Sequence, residues 1–106
     1  MSIATIEVQP RVENVTATDN MLSVSIRDGR IVSVPLTWYP RLLHATARER
    51  SHWRIFQDSD GRDTIFWEAL DELIPVIALL TGIPSRESKR SLAHWLAGRK
   101  TESTHE

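Results

Sequence analysis

The sequence predicts an α+β domain: a small antiparallel sheet of two β-hairpins, short helices packed on one side of it, and a C-terminal helix. Three observations support this prediction. Apolar and polar residues alternate over 22–26, and aromatic and β-branched residues flank a turn at 58–61. Helix caps and breakers occupy the stretches between and after these strands, which places helices there.

The first hairpin gives the clearest β pattern in the chain. A preceding strand is expected within Ile6–Ala17, and the alternation over 22–26 predicts a half-buried strand. A two-residue turn would place apolar residues opposite serines, whereas a three-residue loop pairs apolar with apolar. We therefore predict Val24 opposite Val32, with Gly29 as the left-handed residue of the loop.

Two short helices are predicted between the hairpins. Thr37 is expected to cap a helix that begins near Trp38. Pro40 is compatible with this helix because proline is tolerated in the first turn. Thr46 and Glu49 have the spacing of a capping box, in which each side chain accepts a hydrogen bond from the other residue's backbone amide. A second helical turn therefore follows the first.

The second half of the chain predicts another hairpin and two more helices. Trp53–Gln57 and Thr64–Trp67 are rich in aromatic and β-branched residues, and turn residues separate them. Pro75 is predicted to begin a helix that Gly82 ends. Ser88 is expected to cap the last helix.

The last helix should pack on the core through one apolar stripe. Leu92, Trp95 and Leu96 share one helical face, and Gly98 is expected to lie beyond the end of the helix. The predicted organisation is an α+β core at 1–83, the helix packed on it at 84–100 and a flexible tail at 101–106.

Composition restricts the classes of function. The chain has 13 Lys and Arg against 14 Asp and Glu, so no global field draws it to DNA or to an anionic membrane. It has no cysteine, which excludes disulfides and cysteine-ligated zinc. The sequence shows no signal-peptide pattern and no apolar run of about 20 residues. We expect a soluble, cytoplasmic protein and infer neither a cofactor nor a small-molecule substrate.

No stretch has the pattern of a catalytic or metal site. The four histidines lack metal-helix spacing, no serine lies in a nucleophile elbow, and no glycine-rich phosphate loop is present. The best polar group is a predicted cluster of Arg41, His44, Asp71 and Glu72. It has two interpretations: an acid–base pair with shifted pKa values, or ties between a helix and the carboxylates. We expect no metal site and no enzyme activity.

The C-terminal region suggests an alternative function. Arg86, Lys89 and Arg90 make it basic, and Trp95 lies on the same helix. A phosphate-contacting helix has such residues, but they are more typical of a solvated basic face. The alternative prediction is a DNA-associated regulator that uses these three residues.

Several separated motifs arrive in one order: DGRIVSVPLTWYPRLLHAT, IFW followed by LDE, LLTG, and a tail of SRES, SL and WL. In these motifs, from Val12 to Gly98, the chain resembles domain-of-unknown-function family number 2442, which consists of small, mostly bacterial proteins. The resemblance implies a small α+β domain. Some members of that family are joined to a helix-turn-helix, and others lie beside small partner genes like toxin–antitoxin pairs. The resemblance supplies no catalytic residues.

The chain departs from the family pattern after Trp67. Two positions that are acidic in the family are Leu73 and Ile77 here, and a helix from Pro75 would stack them on one face. One interpretation is an exposed interface formed by Leu73, Pro75 and Ile77; the other is that both apolar residues belong to the core. The function predicted from the sequence is a non-enzymatic protein-interaction module that forms a homodimer. The family resemblance adds the expectation of an antitoxin-like or regulatory member of a bacterial gene pair.

Overall fold

The computed structural model describes residues 9–103, with side chains described as far as Arg99. The described range holds six strands and four helices. In chain order they are β1 (Val12–Ala17), β2 (Met21–Ile26), β3 (Ile31–Pro35), α1 (Pro40–Leu43), α2 (Ala47–Ser51), β4 (Arg54–Gln57), β5 (Asp63–Trp67), β6 (Glu72–Pro75), α3 (Val76–Thr81) and α4 (Lys89–Ser103). The predicted α+β class is confirmed.

The first sheet has the order β1-β2-β3, and both pairings are antiparallel. Val24 lies opposite Val32, and the Ile26 amide donates to the Arg30 carbonyl across the loop. Gly29 has a φ of +101°, so the predicted three-residue loop and its left-handed glycine are confirmed. Strand β1 lies within the predicted Ile6–Ala17, whose first three residues are outside the described range.

The second sheet has the order β4-β5-β6 and is also antiparallel. Its hairpin is confirmed, with Ile55 opposite Ile65. The two hairpins belong to separate three-stranded sheets rather than to one. Asp63 joins these sheets, because its carboxylate accepts hydrogen bonds from the Val12 amide and from Arg11 Nη1, both at 2.9 Å.

Strand β6 occupies the residues that lead into a predicted helix, together with the first residue of that helix. The sequence predicts a helix from Pro75, but Glu72–Pro75 pairs with β5 and α3 begins at Val76. Asp71 has a φ of 51° and turns the chain from a 3₁₀ turn into the strand. Gly82, with a φ of +74°, ends α3 as predicted.

The start of α1 also differs from the prediction. Thr37 caps no helix, because it lies inside a 3₁₀ turn; α1 begins at Pro40, with Tyr39 at its N-cap position. The capping box of α2 is confirmed. The Glu49 amide donates to Thr46 Oγ1 at 3.1 Å, and the Thr46 amide donates to Glu49 Oε1 at 2.9 Å.

Helix α4 is longer than predicted. Ser88 caps it, since its Oγ accepts from the Ser91 amide at 3.0 Å. The helix continues through Gly98 to Ser103, so the prediction that Gly98 lies beyond its end is wrong. The predicted tail at 101–106 therefore begins as helix, and 104–106 lie outside the described residues.

The inner faces of both sheets bury one core, together with side chains from the helices and 3₁₀ turns. Trp67 is its largest fully buried side chain, and its Nε1 donates to the Arg50 carbonyl at 3.0 Å. Arg50 is also buried and donates to the carbonyls of Leu42 and Leu43. Other core members include Leu22, Val24, Ile26, Val34, Leu36, Ile65, Leu70, Ile74, Val76 and Leu79.

Candidate functional site

The outer face of the second sheet is apolar. Pairing in the sheet places Arg54, Phe66 and Leu73 side by side, with Phe56 and Pro75 at alternate positions on the same side. We call these five residues the aromatic face. Phe56 is 42% exposed and Leu73 is 50% exposed. This sheet therefore has apolar residues on both faces, although only the inner one is needed for the core.

Contacts within the aromatic face order its side chains. The rings of Phe56 and Phe66 meet edge to face, with centroids 6.3 Å apart and an interplanar angle of 77°. The Arg54 guanidinium lies 5.2 Å from the Phe66 centroid and pairs with Glu68 at 3.6 Å. A groove of about 600 Å³ runs beside them and is also lined by Asp71 and Leu73. The surface combines an apolar centre with both signs of charge at its edge.

The three residues predicted as an interface are all exposed, Leu73 at 50% and Ile77 at 40%. The interpretation that Leu73 and Ile77 belong to the core is wrong. Their predicted stacking on one helical face is also wrong, because Leu73 lies in β6 and Ile77 in α3. The sequence reasoning missed Phe56 and Phe66, although both occupy the strand positions that alternate with the core residues.

A cluster around Arg41 connects α1 with the turn that precedes β6, with the segment that leads into α4 and with α4 itself. Its guanidinium donates to both Glu87 carboxylate oxygens at 2.7–3.0 Å and to the carbonyls of Leu70 and Asp71 at 3.0 and 3.3 Å. It also lies 5.1 Å from the ring centroid of Trp95. Hydrogen bonds from Arg41 lower the pKa of Glu87, and Glu87 in turn raises the pKa of Arg41. The cluster therefore holds α4 against the core.

The predicted polar cluster is present only in part. Arg41 approaches the Asp71 carboxylate at 3.9 Å, and its charge acts on Glu72. His44 is exposed, and no hydrogen bond or ion pair joins its side chain to the described residues of the cluster. Glu87 is the main partner of Arg41 and was absent from the prediction. It lies 46 residues from Arg41 in sequence, so no local pattern could reveal the contact.

Glu72 points inward from β6, on the same side of the sheet as Trp67 and Ile74. Burial raises the pKa of its carboxyl to about 7, the nearby charge of Arg41 opposes this rise, and the charge of Glu87 adds to it. Burial and the charge of Glu72 together raise the pKa of Tyr39 to about 12. The Tyr39 hydroxyl donates to the Ile83 carbonyl at 3.1 Å. Glu72 is thus a half-buried carboxyl that titrates near neutrality.

With this geometry described, the chain can be compared with known proteins. The model of a family described as "Protein of unknown function (DUF2442)" matches residues 12–85, well over half of the chain. The chain belongs to this family. A crystal structure of a protein of unknown function from Rhodospirillum rubrum ATCC 11170 is similar in fold, with a TM-score of 0.57 and 18% identity over 80% of this chain and 99% of that one. No curated protein matches the sequence.

The residues predicted to contact nucleic acid follow the segment that matches the DUF2442 family. Arg86, Lys89 and Arg90 are exposed, and they form no ion pair within the described part of the chain. Arg99, on the same helix, instead donates two hydrogen bonds to Glu49 at 2.8 and 2.9 Å and lies 4.7 Å from the Trp95 centroid. Trp95 therefore packs between two guanidinium groups and the core, so it is not a free stacking platform.

Neither a metal-binding cluster nor a membrane-spanning helix is present in the part of this DUF2442 member that the structure describes. No group of three or more His, Cys, Asp or Glu side chains there is arranged to hold a metal ion. No helix in the same range is long and apolar enough to cross a bilayer.

Proposed function

We propose that this DUF2442 protein is a non-enzymatic, cytoplasmic interaction module that forms a homodimer through its aromatic face. The observation that carries the proposal is the contact of Phe56, Phe66 and Leu73 with solvent beside an open groove. Soluble monomers rarely leave contiguous apolar surface of this kind uncovered. Fully burying one such side chain contributes about 1.5–3 kcal/mol. Because the three are already partly buried, each contributes only a fraction of this, but a two-fold interface covers the three side chains of both copies.

A second copy of the chain suits this face because its charges are self-complementary. Arg54 and Glu68 lie at its edge and pair at 3.6 Å within one chain. In a two-fold interface the same patch meets itself, so Arg54 of each copy can approach Glu68 of the other. The apolar centre supplies affinity, while the rim charges set the orientation.

The Arg41 cluster supports the non-enzymatic part of the proposal. Its guanidinium is committed to Glu87 and to two backbone carbonyls, which is the arrangement of a structural tie. The role of an antitoxin-like or regulatory member of a bacterial gene pair rests on the family resemblance alone. In that role the homodimer would present the rest of its surface to the product of the neighbouring gene.

The homodimer is tested by light-scattering mass over about a hundredfold range of concentration. We expect the unmodified protein to approach twice the mass of one chain and Phe66→Glu to remain a monomer with an unchanged circular dichroism spectrum. Ser33→Glu is the matched control, because Ser33 is exposed on the outer face of the first sheet, in the middle of edge strand β3. A monomeric unmodified protein, or a Phe66→Glu variant that still dimerises, would contradict the proposal.

The alternative function, a DNA-associated regulator, is favoured by one observation: Arg86, Lys89 and Arg90 are exposed and form no ion pair with the residues that the structure describes. A complex held by phosphate contacts weakens steeply as salt increases, whereas an apolar interface responds little. Capture of partners from host lysate, with and without nuclease and at two salt concentrations, separates the two. Recovery of nucleic acid that is lost in the triple Arg86→Gln, Lys89→Gln, Arg90→Gln variant would favour the regulator.

A further inference from the structure

A second hollow lies on the other side of β6 from the groove of the aromatic face. It has a volume of about 430 Å³, room for roughly 14 water molecules at about 30 Å³ each. Pro75, Ala78 and Ile83 form its apolar wall, and Glu72 and Tyr39 supply polar atoms. A concave, mostly apolar site with a few convergent polar groups is the usual form of a small-molecule site.

Glu72 lines this hollow, and one oxygen of its carboxylate has unused hydrogen-bonding capacity. Its Oε2 atom is buried, and no described residue donates a hydrogen bond to it. The neighbouring polar groups are engaged: the Tyr39 hydroxyl donates to the Ile83 carbonyl, and the Glu87 carboxylate accepts from Arg41 and Ser91. A buried acceptor is normally satisfied, so Oε2 calls for a donor from outside the described protein.

We propose that this hollow binds a small primary alkylammonium ion, for which the Glu72 carboxyl turns so that Oε2, buried in the unliganded protein, accepts from the ammonium group while the alkyl chain lies against Pro75, Ala78 and Ile83. The ammonium group offers three donors and no acceptor, which complements a site rich in acceptors. The Tyr39 oxygen keeps lone pairs that can accept a second of these donors. An anionic ligand would instead meet the charges of Glu72 and Glu87.

The charges around Glu72 make the binding depend on pH. The groups that face it are Tyr39, Arg41, Asp71 and Glu87, with Arg86 exposed at the rim. An ammonium ion prefers the ionised carboxylate, and the pKa of Glu72 in the free protein is about 7. By linkage, affinity should be about tenfold weaker at about pH 6 than at about pH 8, where the carboxylate is ionised. The alkylammonium itself stays protonated throughout this range.

The test is a nuclear magnetic resonance titration of the full chain with n-butylammonium chloride at both pH values. We expect saturable shifts at the Ala78 and Ile83 amides, the tenfold pH effect, and at least tenfold weaker binding of 1-butanol, which has a similar shape and no charge. A parallel titration with Nα-acetyl-lysinamide shows whether a lysine side chain enters as well as a free amine. Binding by neither cation, or equal binding of 1-butanol, would overturn the proposal.

Variants test whether n-butylammonium binds at this site. Glu72→Gln should weaken n-butylammonium binding at least tenfold, whereas Glu68→Gln, an exposed carboxylate nearby in sequence, should leave it unchanged. If Glu72→Gln does not fold, Ala78→Leu fills the hollow without touching the carboxylate and should also abolish binding. Binding that survives Ala78→Leu would contradict the site. The inference does not rest on the homodimer, because Phe66→Glu removes the dimer contact and should retain the ammonium site.

Discussion

The two sheets have the same architecture but differ in their outer faces. Each has three antiparallel strands and an apolar inner face in the common core. The outer face of the first has serines at its centre, where Ser23 and Ser33 share a hydrogen bond of 2.8 Å, and its exposed apolar residues Met21 and Ile31 lie at opposite ends. The corresponding face of the second has Phe56, Phe66 and Leu73. One apolar face per sheet suffices to build the core, so the additional apolar face of the second sheet indicates a role beyond folding.

The largest expected effect concerns the apolar inner faces, through which both sheets contribute to the core. Leu22 in the first sheet and Ile65 in the second are fully buried, so Leu22→Ala and Ile65→Ala should each lower the free energy of unfolding by about 2–5 kcal/mol. Urea denaturation measures both losses. Ile31→Ala is the control and should change stability by less than about 0.5 kcal/mol, because Ile31 is 68% exposed. A transition that splits into two steps would show that the sheets unfold separately.

The difference between the outer faces predicts a different response to the loss of apolar side chains. Leu73→Ser removes part of the aromatic face and should raise the dissociation constant of the homodimer at least tenfold, about 1.4 kcal/mol. Ile31→Ser removes an exposed apolar residue from the first sheet and should leave the constant unchanged. Sedimentation equilibrium measures both. If both variants weakened the homodimer equally, the outer faces of the two sheets would not differ in their role in the interface.

Much of this architecture could be predicted from the sequence, wherever it depends on a local pattern of residues. The parity of serines and apolar residues gave the register of Val24 and Val32, and the spacing of Thr46 and Glu49 gave the capping box. Strand β6 could not be predicted in the same way. Its four residues end at Pro75, which also suits a helix start, and its strand conformation depends on pairing with β5.

The candidate sites show the same limit. Leu73 is predicted as an interface residue because it replaces an acidic residue of the family pattern, whereas Phe56 and Phe66 lie in the predicted strands but are not predicted as site residues. The alternation of Phe66 with Ile65 and Trp67 was sufficient to predict apolar residues on both faces. The contact between Arg41 and Glu87 and the burial of Glu72 depend on the packing of α4 and the 83–87 segment, which no local pattern specifies.

The buried carboxyl of the second sheet predicts a pH dependence of stability. The folded pKa of Glu72 is raised to about 7 from its ordinary value of 4.5, so its contribution to stability is fully present below pH 4.5 and is lost as pH rises through 7. The loss should be about 1–2 kcal/mol after allowance for solvent screening of a partly exposed group. Glu72→Gln should flatten this part of the stability curve, and Glu68→Gln should not. An unchanged curve in Glu72→Gln would assign the dependence to other groups.

The smallest expected effect concerns the turns of the two hairpins. Gly29 and Gly61 have φ values of +101° and +76°, and a Cβ added at either would meet no atom within 4 Å. Gly29→Ala and Gly61→Ala should therefore each cost about 1 kcal/mol through backbone strain alone, measured by urea denaturation. Gly98→Ala should have the opposite sign and stabilise by about 0.5–1 kcal/mol, because Gly98 lies inside α4 with open space around it. If both substitutions lower the free energy of unfolding equally, the two sheets differ in their outer faces and not in their turns. A much larger loss for Gly61→Ala would show that the second hairpin is also the more strained one.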